Sequence, residues 1–158
     1  MNSALETVKS IKEIYNFQIG NRPFHTDKAQ LGIAQMLNAL MGCSEYDGYE
    51  VETNLHSYKI LIENGQSCCE DWGYFASNDD SFERFIGKHL SGVYLTDVAL
   101  NTKKVDELYV DDDQIQFVNF VFTDGDKLQL AVYNSHNGYY GHQIFVLKDD
   151  VILKQDTL

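Results

Sequence analysis

Asn134-Ser135-His136-Asn137-Gly138-Tyr139-Tyr140-Gly141-His142 joins two runs of alternating apolar residues, Leu128, Leu130 and Val132 before it and Ile144 and Val146 after it. Asn-Gly between such runs is a strong short hairpin signal, because a two-residue type I′ turn needs positive φ at both positions. Read that way, the run closes an antiparallel hairpin that pairs His136 with Tyr139, Ser135 with Tyr140 and Tyr133 with His142. Period-two alternation then puts Tyr133, Ser135, Tyr140 and His142 on one face and Asn134, His136 and Tyr139 on the other. The two histidines are separated, so a shared metal there would need a bulge or another register.

Working outward, the same period governs most of the chain from residue 46 on. Val51 stands in a short strand, and Tyr58, Ile60 and Ile62 alternate in a clearer one. Strands are predicted over 92–100, 114–123, 127–134 and 140–148. Four Asx-Gly pairs, Asp47-Gly48, Asn64-Gly65, Asp124-Gly125 and Asn137-Gly138, punctuate this half and suggest a meander. Asp80 with Glu83 caps a short inserted helix whose inner face is Phe82, Phe85, Ile86 and Leu90. Residues 101–113, with Asp111-Asp112-Asp113, read as an exposed loop from which Val105, Leu108 and Tyr109 pack down.

The start of the chain reads differently. Ser3 with Glu6 makes a capping-box pattern, and Leu5, Val8, Ile11, Ile14 and Tyr15 follow near helical spacing. A second helix is predicted from Thr26 or Asp27, with a stripe of Leu31, Ala34, Leu37, Leu40 and Met41, after the break at Pro23. The expected fold is therefore α+β: a mostly antiparallel sheet of about five to six strands with one inserted helix, in an acidic domain over 46–158, preceded by an N-terminal helical segment over 1–45.

Charge narrows the classes of partner. Residues 1–44 hold three acids and four bases, whereas residues 45–158 hold 21 acids and eight bases, in a chain of net charge −12. A field of that sign repels phosphate backbones and anionic membranes, so neither nucleic acid nor a membrane is an expected direct partner. A protein with a basic surface is. No apolar run approaches the roughly 18 residues that span a bilayer, and three cysteines, two adjacent, form no disulfide framework. The expected compartment is the cytoplasm. No pattern sets an oligomeric state.

Three groupings could carry chemistry. In Gln66-Ser67-Cys68-Cys69-Glu70-Asp71-Trp72-Gly73-Tyr74, two thiols sit beside two carboxylates, but adjacent cysteines chelate poorly and neighbouring acids raise a thiol's pKa. Cys68 and Cys69 are expected as buried small hydrophobes. A Cys-His pair using a histidine of the later run stays open as an enzymatic reading. The third grouping is a recognition surface of flat rings and adaptable polar groups: Trp72, Tyr74, Asn134, His136, Asn137, Tyr139, Tyr140 and His142. No catalytic set, metal site or cofactor is assigned.

These residues resemble an uncharacterised family of small bacterial and phage proteins. The likeness lies in Asp47-Gly48-Tyr49-Glu50 through Lys59-Ile60-Leu61-Ile62, in Gln66 through Phe75, and in Thr96-Asp97, Asn101-Thr102-Lys103-Lys104 and Phe117-Val118-Asn119-Phe120. It closes on Ala131 through His142, covering roughly residues 46–158. The resemblance implies no activity; it implies a setting of phage and mobile elements, in which small acidic proteins bind host factors. The expected function is a non-enzymatic acidic protein that binds and inhibits a host defence or nucleic-acid-binding protein. The alternative is a small-molecule binder that sequesters a nucleotide-like ligand.

Overall fold

The computed structural model describes residues 4–19, 45–65, 69–78, 81–136, 138 and 140–158. Among them, strands β1 (Val8–Gln18), β2 (Glu45–Thr53), β3 (Ser57–Glu63), β4 (Asp71–Ala76), β5 (Leu90–Thr96), β6 (Ile115–Phe122), β7 (Lys127–Ser135), β8 (Gln143–Lys148) and β9 (Val151–Thr157) build two antiparallel sheets. One has the order β1-β2-β3-β8-β9 and the other β4-β7-β6-β5. In the second, the consecutive strands β5, β6 and β7 fold back so that β7 lies beside β4, a Greek-key order. One helix, α1 (Thr102–Leu108), and two single 3-10 turns complete the described elements.

The fold is essentially all-β, which overturns the α+β expectation and its N-terminal helix. Val8, Ile11, Ile14 and Phe17 recur every three residues, and two β-bulges explain that spacing without a helix. β1 gains an extra residue against β2 between Val8 and Ser10 and another between Ile14 and Phe17. Each bulge shifts the alternation by one, so Val8 and Ile11 share the inter-sheet core while Ile14 and Phe17 share the opposite face. β1 pairs with β2 along its length, so this part of the N-terminal segment belongs to the same sandwich. The second helical stripe, Leu31 to Met41, lies outside the described residues.

The closing hairpin is corrected as well. β7 pairs with β4 and β6, whereas β8 pairs with β3 and β9, so the chain leaves one sheet at Ser135 and enters the other at Gln143. The alternation on either side of the run is real, but both runs face one core from opposite sheets. Period two reports which face is buried and is silent about which neighbour supplies the cover. Asp124-Gly125 does turn a hairpin, between β6 and β7, with Gly125 at φ 87°. Asp47-Gly48 lies inside β2. There a Cβ on Gly48 would stand 1.8 Å from the Ile60 carbonyl oxygen, so only glycine lets β2 and β3 approach. The β8–β9 turn uses Asp149 and Asp150, both at positive φ, without any glycine.

Between the sheets lies the main core, with Val51, Tyr58, Ile60, Ile62, Ile144 and Val146 from one side and Val118, Phe120, Phe122, Leu128, Leu130 and Val132 from the other. Fully burying each aliphatic or aromatic side chain contributes about 1.5–3 kcal/mol. The five-stranded sheet is also buried on its outer face at Tyr46, Leu61, Phe145 and Leu147, which is why β3 and β8 read as continuous apolar runs. The outer face of the other sheet is covered by the connector after β5, whose Ala99, Val105 and Val110 pack on Ile115, Phe117 and Ala131.

That connector was expected as a plain loop. It holds α1, capped by Asn101, whose side chain accepts from the Lys104 amide. Val105 packs down as expected, but Tyr109 is 89% exposed. The expected inserted helix is a single 3-10 turn, Phe82–Phe85, with Phe85 fully buried against Phe122, Ile86 exposed and Leu90 already in β5. Its proposed cap, Asp80, lies outside the described residues. No helix among the described residues is long and apolar enough to cross a membrane.

Candidate functional site

The start of β4 and the end of β7 are paired, Trp72 opposite Asn134 and Asp71 opposite Ser135. Counting by twos from Leu130 and Val132 sends Asn134 into the sandwich, where it is fully buried. Its Nδ2 donates to the main-chain oxygens of Tyr140 at 2.7 Å and Leu158 at 2.9 Å. Two acceptors claim both amide protons, so the orientation of this side chain is set by the network. Asn134 Oδ1 is buried without a partner among the described residues.

His142 is buried beside it, and its backbone exchanges two hydrogen bonds of 2.9 Å with Leu158. The imidazole Nδ1 lies 2.6 Å from the Glu63 carbonyl oxygen. A carbonyl only accepts, so Nδ1 carries the proton there. Nε2 faces Glu70 Oε1 at 3.4 Å, with the two side chains 3% and 1% exposed. The Trp72 indole stacks on the ring, centroids 5.6 Å apart and planes 27° from parallel. Glu70 and Trp72 of one segment thus meet Asn134 and His142 of the other in a buried polar knot at one end of the core.

Outside the knot lies an exposed rim built from the same strand ends. Tyr109 caps α1 in the left-handed region, φ 52° and ψ 40°, and its carbonyl accepts from Ser135 Oγ at 3.4 Å. The next turn is closed by a capping box between Asp111 and Gln114. Gln114 Nε2 then donates to the His136 carbonyl at 2.9 Å, which docks the acidic turn against the end of β7. His136 Nδ1 accepts from the Gly138 amide at 3.0 Å. Asp71, Asp111, Asp112 and Asp113 are exposed around this point, and His136 is half-buried.

The eight residues expected as one surface therefore divide. Asn134 and His142 are both interior and meet between the two sheets, where the hairpin register had placed them on opposite faces of one. Trp72, Tyr74, His136 and Tyr140 are half-buried, and Asn137 and Tyr139 lie outside the described residues. Cys69 is exposed, against the expectation of a buried hydrophobe, and Cys68 lies outside the described residues. Both His142 nitrogens already face Glu63 and Glu70, which leaves neither to activate a thiol. Sequence reasoning passed over Tyr109 and Asp111–Asp113 as parts of a site. The pattern Asp-Asp-Asp-Gln at 111–114 contained the capping box, and nothing in the sequence signals a tyrosine in the left-handed cap position. No group of three or more His, Cys, Asp or Glu side chains among the described residues could hold a metal ion.

Fold and site together define an all-β sandwich with a sealed polar knot and an acidic, aromatic rim at one end. The chain belongs to the family described as Domain of unknown function (DUF7448), which matches residues 8–146. It is similar to the uncharacterized protein L278 of Acanthamoeba polyphaga mimivirus, with 32% identity over 84 residues. That match covers 52% of this chain and 63% of the relative, so it spans less than two thirds of the relative's length. No solved structure matches.

Proposed function

We propose that this domain is a non-enzymatic binding protein that engages a protein with a basic surface through the rim around Tyr109. The observation that carries the reading is the gathering of Asp71, Tyr109, Asp111–Asp113 and His136 at one end of the sandwich, held by the Gln114–His136 bond. An aromatic ring ringed by carboxylates suits a cationic partner, because the ring supplies contact area and the acids supply long-range attraction. The backbone at Tyr109 supports it. A bulky residue in the left-handed region is strained by about 1 kcal/mol or more, and such strain gathers at functional positions.

The relative in a mimivirus fits a virus-encoded or mobile-element factor, and the acidic surface fits one that inhibits a nucleic-acid-binding host protein by occupying its basic groove. The test is retention of host-lysate proteins on the immobilised domain at about 50 mM and about 0.5 M salt, for wild type and D111N/D112N/D113N. A basic protein held at low salt by wild type and lost by the variant is expected. Retention indifferent to salt, or unchanged in the variant, would sink the reading.

A second reading, a small ligand, rests on Asn134 Oδ1. An N–H or O–H donor reaching it past the half-buried Trp72 would satisfy a buried acceptor. Native mass spectrometry of the purified protein separates the two, since a small ligand would appear as an added mass that N134A loses.

A further inference from the structure

The second bulge of β1 leaves Tyr15 and Asn16 between the pairs Ile14–Gly48 and Phe17–Tyr46. Asn16 takes φ 54°, and its amide is held by Asp47 Oδ1 at 2.9 Å. Tyr15 continues the side of β1 that carries Ile11 and Glu13, which faces the other sheet, and its phenol reaches β4. There its hydroxyl donates to the Glu13 carboxylate and is hydrogen-bonded in turn to Tyr74 of β4. Behind them the Tyr49 ring stands at right angles to Tyr74, at 5.1 Å and 86°, and to Phe82, at 5.8 Å and 88°. Tyr49 is buried, Tyr74 and Phe82 are half-buried, and Tyr15 is 60% exposed.

Rings set at right angles with a carboxylate at their margin have the chemistry of a cation site. Ring faces are the negative poles of the aromatic quadrupole, and a cation near them is attracted most where water is partly excluded. Burial first, then the bond to Tyr15, holds the Tyr74 phenol well above its ordinary value, and the Glu13 bond raises that of Tyr15. Both phenols therefore stay protonated near neutrality, and Glu13 is the acid of the set. An anion would meet Glu13 and Asp47 unfavourably.

We propose that Tyr15, Tyr74, Phe82 and Glu13, backed by the buried Tyr49, form a docking site for the guanidinium of an arginine-rich protein segment. Arginine fits better than lysine because its flat, weakly hydrated group stacks on rings and bonds a carboxylate in one pose. The site rests on the reading of the domain as a binder of basic proteins. It adds a contact on the β4 edge, where Tyr74 follows Trp72 by two residues on the same face.

The test titrates a tetra-arginine peptide amide and its uncharged tetra-citrulline counterpart into wild type, Y15A, Y15F and D111N/D112N/D113N, with calorimetry and the fluorescence of Trp72. Circular dichroism checks the fold of each variant, and Tyr15 is exposed enough for the ring to be removed without a core cavity. Y15A is expected to bind tetra-arginine about 5- to 30-fold more weakly, with Y15F within about twofold of wild type. Tetra-citrulline is expected not to bind. Loss in Y15A but not in the acid variant supports this site and counts against the Tyr109 rim. Loss in the acid variant alone overturns this site and leaves the rim standing, and loss in neither, or equal binding of the citrulline peptide, overturns this site outright.

Discussion

The knot and the rim are built from the same strand ends, yet their polar groups do opposite work. In the knot, Asn134, His142 and Glu70 are sealed from water and spend their donors on Tyr140, Leu158 and Glu63. In the rim, Asp71, Tyr109 and Asp111–Asp113 face solvent. Chemically capable side chains are thus no guide to function until burial is known. An imidazole beside a carboxylate looks catalytic in sequence and acts here as a lock between the end of β3, the start of β4 and the start of β8. A tyrosine after a polar helix looks incidental and is the most exposed large hydrophobic side chain of the described residues.

The contrast can be broken first at the knot. H142A removes the ring that faces Glu70 and stacks on Trp72, leaving a buried carboxyl without its imidazole. The expected loss is about 3–5 kcal/mol, read as a fall in melting temperature of roughly 10 °C. A variant that melts like wild type would show that the knot does not hold the sandwich. N134A should cost less, about 1–3 kcal/mol, by taking the side-chain donor from the buried oxygen of Tyr140 and leaving that of Leu158 with the His142 amide alone; urea unfolding measures it.

The rim should respond in the opposite sense. Y109G relieves the left-handed backbone and removes the ring, so it should leave stability unchanged or raise it by up to about 1 kcal/mol while abolishing partner retention. A drop in stability would mean that Tyr109 packs more than its exposure allows.

Much of the sandwich was legible as alternation. Tyr58-Ile60-Ile62, the runs in β6 and β7, and the Asp124-Gly125 turn all appear where period two and turn chemistry put them. The errors have local physical causes. Two bulges gave β1 the spacing of a helix, and a crossover between sheets gave residues 134–142 the signature of a hairpin. β4 is short and holds Gly73 in its middle, and β9 turns polar after Leu153, so neither carries a clean pattern. In the site, the meeting of the two segments was legible as a question only, because pairing between distant strands leaves no mark in local spacing.

The smallest effect concerns acid. Burial pushes the Asp149 carboxyl up, but the Ser57 amide, the His56 imidazole at 2.5 Å and the charge of Lys148 together hold it below its ordinary 3.8. A carboxyl lowered in the folded state adds stability above its unfolded pKa and loses it as pH falls through the folded value. Wild type should therefore lose stability more steeply than D149N as pH drops from about 4, with the two parallel near neutrality. Asparagine tolerates the positive φ of this turn, so the comparison isolates the charge.

The division of labour is tested most directly by Y109G in the salt-step retention experiment. The account predicts a folded protein, at least as stable as wild type, that no longer holds the basic partner at low salt. Retention equal to wild type would contradict it.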